Sequence, residues 1–275
     1  MLRERIIDQY GEGCRIRQVR QVQRFRSSLF VADVTQGARL IRMLGAIGQD
    51  GVLTEQSAMD LLRPERLVFL YERLMLVALA LVERPAAILQ LGLGGGAMCR
   101  HLDAYLPDCQ FAVIEHDPAV IELARRHFHI RHPVRRGDAQ EIVAERPAAW
   151  DVILVDLYDG RSTDAITPRF WEDCAQALKP GGCLAVNWAA FLEDALARSE
   201  AARAAAVIGR AFFAGPRALS ENVVQLAPLD PRLKAADIAP RWRRFAEAHR
   251  LPREDRDVLK RCTLRAEYPS PQQRR

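Results

Sequence analysis

Apolar and polar positions along this chain change period as it proceeds. Through the first 50 residues they alternate, at Ile16, Val19 or Val22, then Leu29-Phe30-Val31 and Leu40-Ile41, with turn signals at Ser27-Ser28, Gln36-Gly37 and Asp50-Gly51. Such alternation predicts half-buried strands, hence a small antiparallel β unit. Between Arg66 and Val82 the apolar residues Leu67, Leu70, Leu74, Val77 and Leu81 fall at helical spacing and stop before Pro85. A single helix is expected there, connecting the β unit to the main domain.

From residue 88 strands and helices take turns. Strand 88–92 leads to a helix near 96–106, and strand 110–115 to a helix near 118–128 with Pro118 suited to its first turn. A short strand at 133–136 precedes Gly137-Asp138 and another helix. The run Trp150-Asp151-Val152-Ile153-Leu154-Val155-Asp156 is almost continuously apolar, as in a parallel strand covered on both faces. A helix near 168–178 closes on Lys179-Pro180-Gly181-Gly182, read as a stop signal before strand 183–188. The repeated βα pattern predicts an α/β fold with a doubly wound, mostly parallel sheet.

Beyond it come a helix near 193–209 and a hairpin through Pro216–Leu219 and Asn222–Leu226. Residues 231–262 read as helical, with Ile238, Trp242 and Phe245 as packing residues, and the last ten residues, rich in Pro, Gln and Arg, read as a disordered tail. The expected organisation is a small β domain at 1–62, a connecting helix at 63–84, a nucleotide-binding catalytic domain at 85–230 and a C-terminal helical extension and tail at 231–275.

With 275 residues, 49% hydrophobic and 27% charged, the chain has the composition of a globular protein with a sizeable core. The apolar run Leu74–Val82 is too short to span a bilayer, and with Met1-Leu2-Arg3-Glu4-Arg5 lacking an apolar stretch no secretory signal is expected. Six cysteines stand at 14, 99, 109, 174, 183 and 262 without a metal-ligand spacing, so reduced thiols in a cytoplasmic protein are expected. His127, His129 and His132 lack a second ligand pair and read as a helix terminus; no metal is expected. The net charge of +5 invites a nucleic-acid reading, but all except three of the 40 basic residues are arginines, read as spread among 35 acids along the chain. Neither nucleic acid nor membrane is therefore an expected partner.

The chemistry concentrates at strand ends, where open α/β sheets bind ligands. Gly92, Gly94 and Gly96 follow the first strand and allow a tight turn with close backbone approach to a ligand. Glu115, 23 residues after Gly92, ends the next strand, where a carboxylate can accept hydrogen bonds from two ribose hydroxyls. Asp138, Asp156 and Asp159 follow the third and fourth strands. Gly92-x-Gly94-x-x-Ala97 also fits a dinucleotide fingerprint, so an NAD-dependent oxidoreductase stays open from the glycines alone.

Five segments, Gly92–Gly96, Ile114-Glu115-His116-Asp117-Pro118, Gly137-Asp138-Ala139, Asp151–Asp159 and Leu178–Gly182, resemble in order and spacing the spermidine synthase family of polyamine aminopropyltransferases. The resemblance is strong over about 86–190 and weaker over 10–85, where Phe69-Leu70-Tyr71 is similar to the family's Phe-x-Tyr. It implies a Rossmann-like class I methyltransferase fold with about seven strands after a small β unit. It implies further that Gly92, Gly94, Gly96, Glu115 and Asp138 bind the nucleotide, with Glu115 on the ribose and Asp138 on the adenine. Asp156, Asp159 and Tyr71 would be catalytic, the two acids orienting and deprotonating an attacking amine. The implied co-substrate is decarboxylated S-adenosylmethionine or S-adenosylmethionine, without metal, and the implied partner is a small-molecule amine; a homodimer is compatible with it. Aminopropyl transfer leads, methyl transfer on the same fold is the alternative, and a non-catalytic nucleotide-binding protein stands behind both. Three departures bear on this: Gly95 stands where the family has Asp, Glu72 where it has His, and Leu157-Tyr158 where it has a Ser/Thr-rich gate. Without the acid at 95, discrimination against the carboxylated nucleotide weakens.

Overall fold

The computed structural model describes residues 15–23, 27–48, 53–157, 166–189, 194–216 and 222–267. They fall into two compact units, one of the chain up to Phe69 with Leu93–Ala104 and Asp117–His132, the other of Leu70–Gly92, Tyr105–His116 and the chain from Pro133 onward.

The first unit holds an antiparallel sheet of four strands in chain order, β1 (Arg15–Gln23), β2 (Ser27–Gln36), β3 (Arg39–Gly48) and β4 (Leu53–Asp60). The expected alternation is realised: Phe30, Ala32, Val34 and Met43 share one buried face. Gly45 faces Phe30 across the β2–β3 ladder, and a Cβ at Gly45 would strike the phenylalanine ring. Helices α2 (Ala97–Tyr105) and α3 (Pro118–Phe128) belong largely to this unit. Asp117 caps α3 by accepting from the Ala119 N–H at 2.9 Å, and Pro118 takes the first turn as expected. His129 ends the helix in the left-handed region, φ 57°. Arg42 forks onto Asp33 and donates to the His127 carbonyl at 2.8 Å, joining β3 to the end of α3.

In the second unit the expected single helix over 66–82 is two shorter pieces, α1 (Leu70–Met75) and a 3₁₀ helix (Leu76–Leu81). All six residues of the 3₁₀ piece are buried. A segment covered all round has no polar face to hold it to one stripe. The sheet comprises β5 (Ala87–Leu91), β6 (Gln110–Glu115), β7 (Val134–Arg136), β8 (Trp150–Val155), β9 (Leu178–Trp188), β10 (Phe212–Pro216), β11 (Val223–Pro228) and β12 (Cys262–Arg265). Their order is β12-β10-β11-β9-β8-β5-β6-β7, with β5 to β9 parallel and β10 to β12 antiparallel. This is the methyltransferase-like α/β architecture, with eight strands rather than seven because Cys262–Arg265, at the end of the segment read as helical and before the expected tail, pairs with β10.

Helices α4 (Ala139–Ala144), α5 (Pro168–Ala177) and α6 (Asp194–Ile208) lie between these strands in sequence, and α7 (Ala235–Ala248) and α8 (Arg253–Arg256) precede β12. One sheet face buries Leu89, Ile153, Leu184 and Val186 against Phe170, Trp171 and Ala201 of the helices. Of the packing residues expected in α7, Ile238 and Trp242 are buried, whereas Phe245 is half-buried, stacked between Trp242 and His249. The expected stop at Lys179–Gly182 is a bulge instead. Leu178 already pairs with Trp150, and Cys183 with Val152, so the four residues between them arch out of the ladder while the strand continues. Lys179 closes the arch on Asp151 at 3.0 Å.

Candidate active site

In the second unit the chain passes from β5 through β6 to β7 on one side, then returns to β8 on the other side of β5. That reversal is a topological switch point, and the carboxyl ends of β5 and β8 flank it. Gly92 leaves β5 there with φ 94°, its N–H donating to the Ile114 carbonyl at 2.9 Å. A Cβ at Gly92 would collide with the Asp156 carbonyl oxygen, so both the conformation and the crowding demand glycine.

Asp156 follows β8 and is partly buried. Its carboxylate accepts from the Asn187 Nδ2 at 2.8 Å and from the Tyr71 hydroxyl. Burial pushes its pKa up to about 6; the Asn187 and Tyr71 hydrogen bonds pull down against that rise, and the nearby Glu115 carboxylate adds a smaller upward push. Glu115 is itself buried at the end of β6, with His116 Nδ1 at 3.2 Å from its Oε1. Asp138 caps α4 at the end of β7, accepting from the Gln140 N–H at 2.8 Å, and is exposed. Glu115, Asp138, Asp156 and Tyr71 thus stand with Gly92 in one unit, the three acids each at the carboxyl end of a parallel strand. Asp159 lies outside the described residues.

Gly94 and Gly96, also expected to bind nucleotide, fall in the first unit, with φ 53° and 70°. Gly96 is crowded by Ile130, and Gly94 approaches the Gln56 carbonyl. Gly95 is the more informative neighbour. A Cβ there would lie 2.9 Å from the Ser57 hydroxyl and 3.0 Å from the fully buried Phe128 ring. The space that the family's Asp would need is filled, so Gly95→Asp alone perturbs packing and is not a clean probe of nucleotide selectivity.

Two amides join the site that the strand-end carboxylates did not reveal. Asn187 sits in β9, two residues beyond Ala185 on the face that carries Leu154 and Asp156. Gln90, in β5, donates to the Gly92 carbonyl at 2.6 Å, and its Oε1 has no hydrogen-bond partner among the described residues. The signal for both is an amide inside an otherwise apolar strand, since such a group is buried only where something bonds to it.

With acids, amides and a glycine turn at a switch point, the site can hold a nucleoside and a proton-bearing nucleophile. Among the described residues no His, Cys, Asp and Glu cluster able to hold a metal is found. Residues 88–182 match the family model described as a methyltransferase domain. Polyamine aminopropyltransferase of Chromobacterium violaceum is 41% identical over 148 residues, half of this chain and 56% of that protein, so the chain spans about half the length of the curated relative it matches. A probable spermidine synthase from Corynebacterium glutamicum superposes with a TM-score of 0.70 at 21% identity, covering 90% of each chain. Human methyltransferase-like protein 13, in complex with SAH, superposes at 0.58 and 22% identity over 68% of this chain and 95% of its own. Over the segments it shares with these proteins, the chain is similar in sequence to polyamine aminopropyltransferases, and its fold is that of spermidine synthases and methyltransferases.

Proposed function

We propose that this chain is an aminopropyltransferase that binds a nucleotide derived from S-adenosylmethionine and transfers its aminopropyl group to a di- or polyamine. The carrying observation is the partly buried Asp156 carboxylate at the switch point, bonded to Tyr71 and Asn187, with a pKa of about 6. An ammonium cannot attack carbon until it loses a proton, and a carboxylate with a raised pKa is better matched to accept that proton near neutral pH than an ordinary one. In the step, the amine nitrogen forms a bond to the carbon beside the sulfonium, the carbon–sulfur bond breaks, and its electron pair returns to sulfur. The sulfonium becomes the neutral thioether of methylthioadenosine, and the amine's proton passes to Asp156 or Asp159. Gly92 and Glu115 hold the ribose end in this reading, and Asp138 the adenine.

Methyl transfer is the second reading, favoured by Gly95, which supplies no acid opposite the aminopropyl amine. The nucleoside product separates the two. Incubating the purified chain with each nucleotide and a panel of diamines should yield methylthioadenosine by mass analysis; S-adenosylhomocysteine alone would select methyl transfer, and neither product a binding protein. The proposal includes a small amine as the partner and a cytoplasmic setting. No helix of the described residues is long and apolar enough to cross a membrane.

A further inference from the structure

At the opposite end of the sheet from Asp156 the second unit contains a cavity of about 1410 Å³. Asp151, on its wall, lies in β8 five residues before Asp156, which follows that strand, roughly 16 Å away at the rise of a β-strand. The walls come from the end of the 3₁₀ helix, the Lys179–Gly182 arch, the loop after β11 and one face of α7. Arg241 and Arg244 stand three apart on α7 and so share that face, and Arg84 joins them from the loop before β5. Arg84 and Arg244 form no salt bridge with a described residue; Arg241 reaches the Leu81 carbonyl at 3.5 Å and lies close enough to Asp230 to help Arg232 hold its pKa down.

The acids in the wall do not neutralise Arg84 and Arg244. Asp151 already accepts from Lys179 and from the Ala86 and Ala87 N–H groups, and Asp230 is held by Arg232 at 3.1 Å. Asp230 is shared by Arg232 and Arg241, and Glu83 alone remains for Arg84 and Arg244, so the cavity carries an excess of positive charge. In front of Gly181, at φ 76°, no heavy atom would meet an added Cβ, so the arch leaves space open. Phe245 gives the cavity an aromatic edge beside Arg244.

We propose that this cavity is a second binding site, for an organic phosphate bearing several negative charges. Guanidinium forks match phosphate oxygens bidentately, and two unmatched forks beside Arg241 call for a multivalent anion. The volume exceeds that of a typical small-molecule pocket, so a bare inorganic ion would leave most of it empty, whereas a nucleotide-sized body can reach both the arginines and the Phe245 edge.

Calorimetry on the full chain with GTP, inorganic tripolyphosphate and citrate tests this, GTP being chosen because its base is not the adenine proposed for the other site. GTP is expected to bind saturably, one per chain, more tightly than tripolyphosphate, and undisturbed by saturating methylthioadenosine. Arg84→Ala and Arg244→Ala replace exposed side chains and should leave the fold intact by circular dichroism, while each weakens GTP by about tenfold, the loss of a charge-assisted contact. Displacement of GTP by methylthioadenosine, equal affinity in both variants, equal or tighter binding of tripolyphosphate or citrate, or no saturable heat would each overturn the assignment.

Discussion

Asp156 owes its character to burial and to two hydrogen-bond donors, and each donor can be removed. Its pKa of about 6 is the balance of burial against hydrogen bonds from Asn187 and Tyr71. If the ionised form is the base, kcat/KM should rise with pH and reach half its plateau near pH 6. Removing a group that stabilises the carboxylate raises its pKa further, so Asn187→Ala and Tyr71→Phe should each move that acid limb to higher pH; a limb that stays in place in both would exclude Asp156 as the titrating base. Gly92→Ala meets two penalties at once, an L residue at φ 94° and a collision with the Asp156 carbonyl. Unfolding in urea should show a loss of about 1–3 kcal/mol, and a variant as stable as the parent would mean that this turn relaxes freely. The acids were legible in the sequence because their place at strand ends follows from the βα alternation itself. Asn187 and Gln90 were not, because an amide within an apolar run gives no hint of the partner that justifies burying it.

At the level of elements, local pattern predicted most of the sheet and failed where long-range pairing decided the outcome. β8 and α3 stand close to where their apolar run and Pro118 put them. β9 begins early because Leu178 finds Trp150, a partner 28 residues back, before the Pro-Gly-Gly arch intervenes. Nothing local in Cys-Thr-Leu-Arg marks β12, which becomes a strand only because β10 offers an open edge. Helix α6 illustrates the same dependence in its polar contacts. Glu200, buried on α6, accepts from the Trp171 indole of α5 at 3.1 Å and pairs with Arg203 at 3.1 Å. Glu200→Ala strands a buried indole N–H and should lower unfolding free energy in urea by about 1–3 kcal/mol, with Glu200→Gln losing less because an acceptor remains. Equal losses would assign the effect to the ion pair with Arg203 instead.

Over the whole molecule, the proposed nucleotide site should be felt as stability. A ligand that binds only the folded chain adds about 2.7 kcal/mol at a hundredfold excess over its Kd, so methylthioadenosine should raise the thermal midpoint in a concentration-dependent way. Glu115→Ala should cut that increment; an increment of parental size would take Glu115 out of the nucleotide site. Along the chain the charge reads as spread, yet residues 231–265 carry eleven Lys or Arg against five Asp or Glu, more than the whole chain's excess of +5. That concentration becomes meaningful only once α7 stands beside the Lys179–Gly182 arch. Gly95 carries a different lesson, about history. Where the resembling family has Asp, the Ser57 hydroxyl and the Phe128 ring now stand within about 3 Å of any side chain's first carbon. An acid restored at this glycine would ask Phe128 and Ser57 to give by a few tenths of an ångström, so the return carries a packing cost. The replacement is therefore easier to keep than to reverse, because an acid at 95 fits best when Phe128 or Ser57 changes with it.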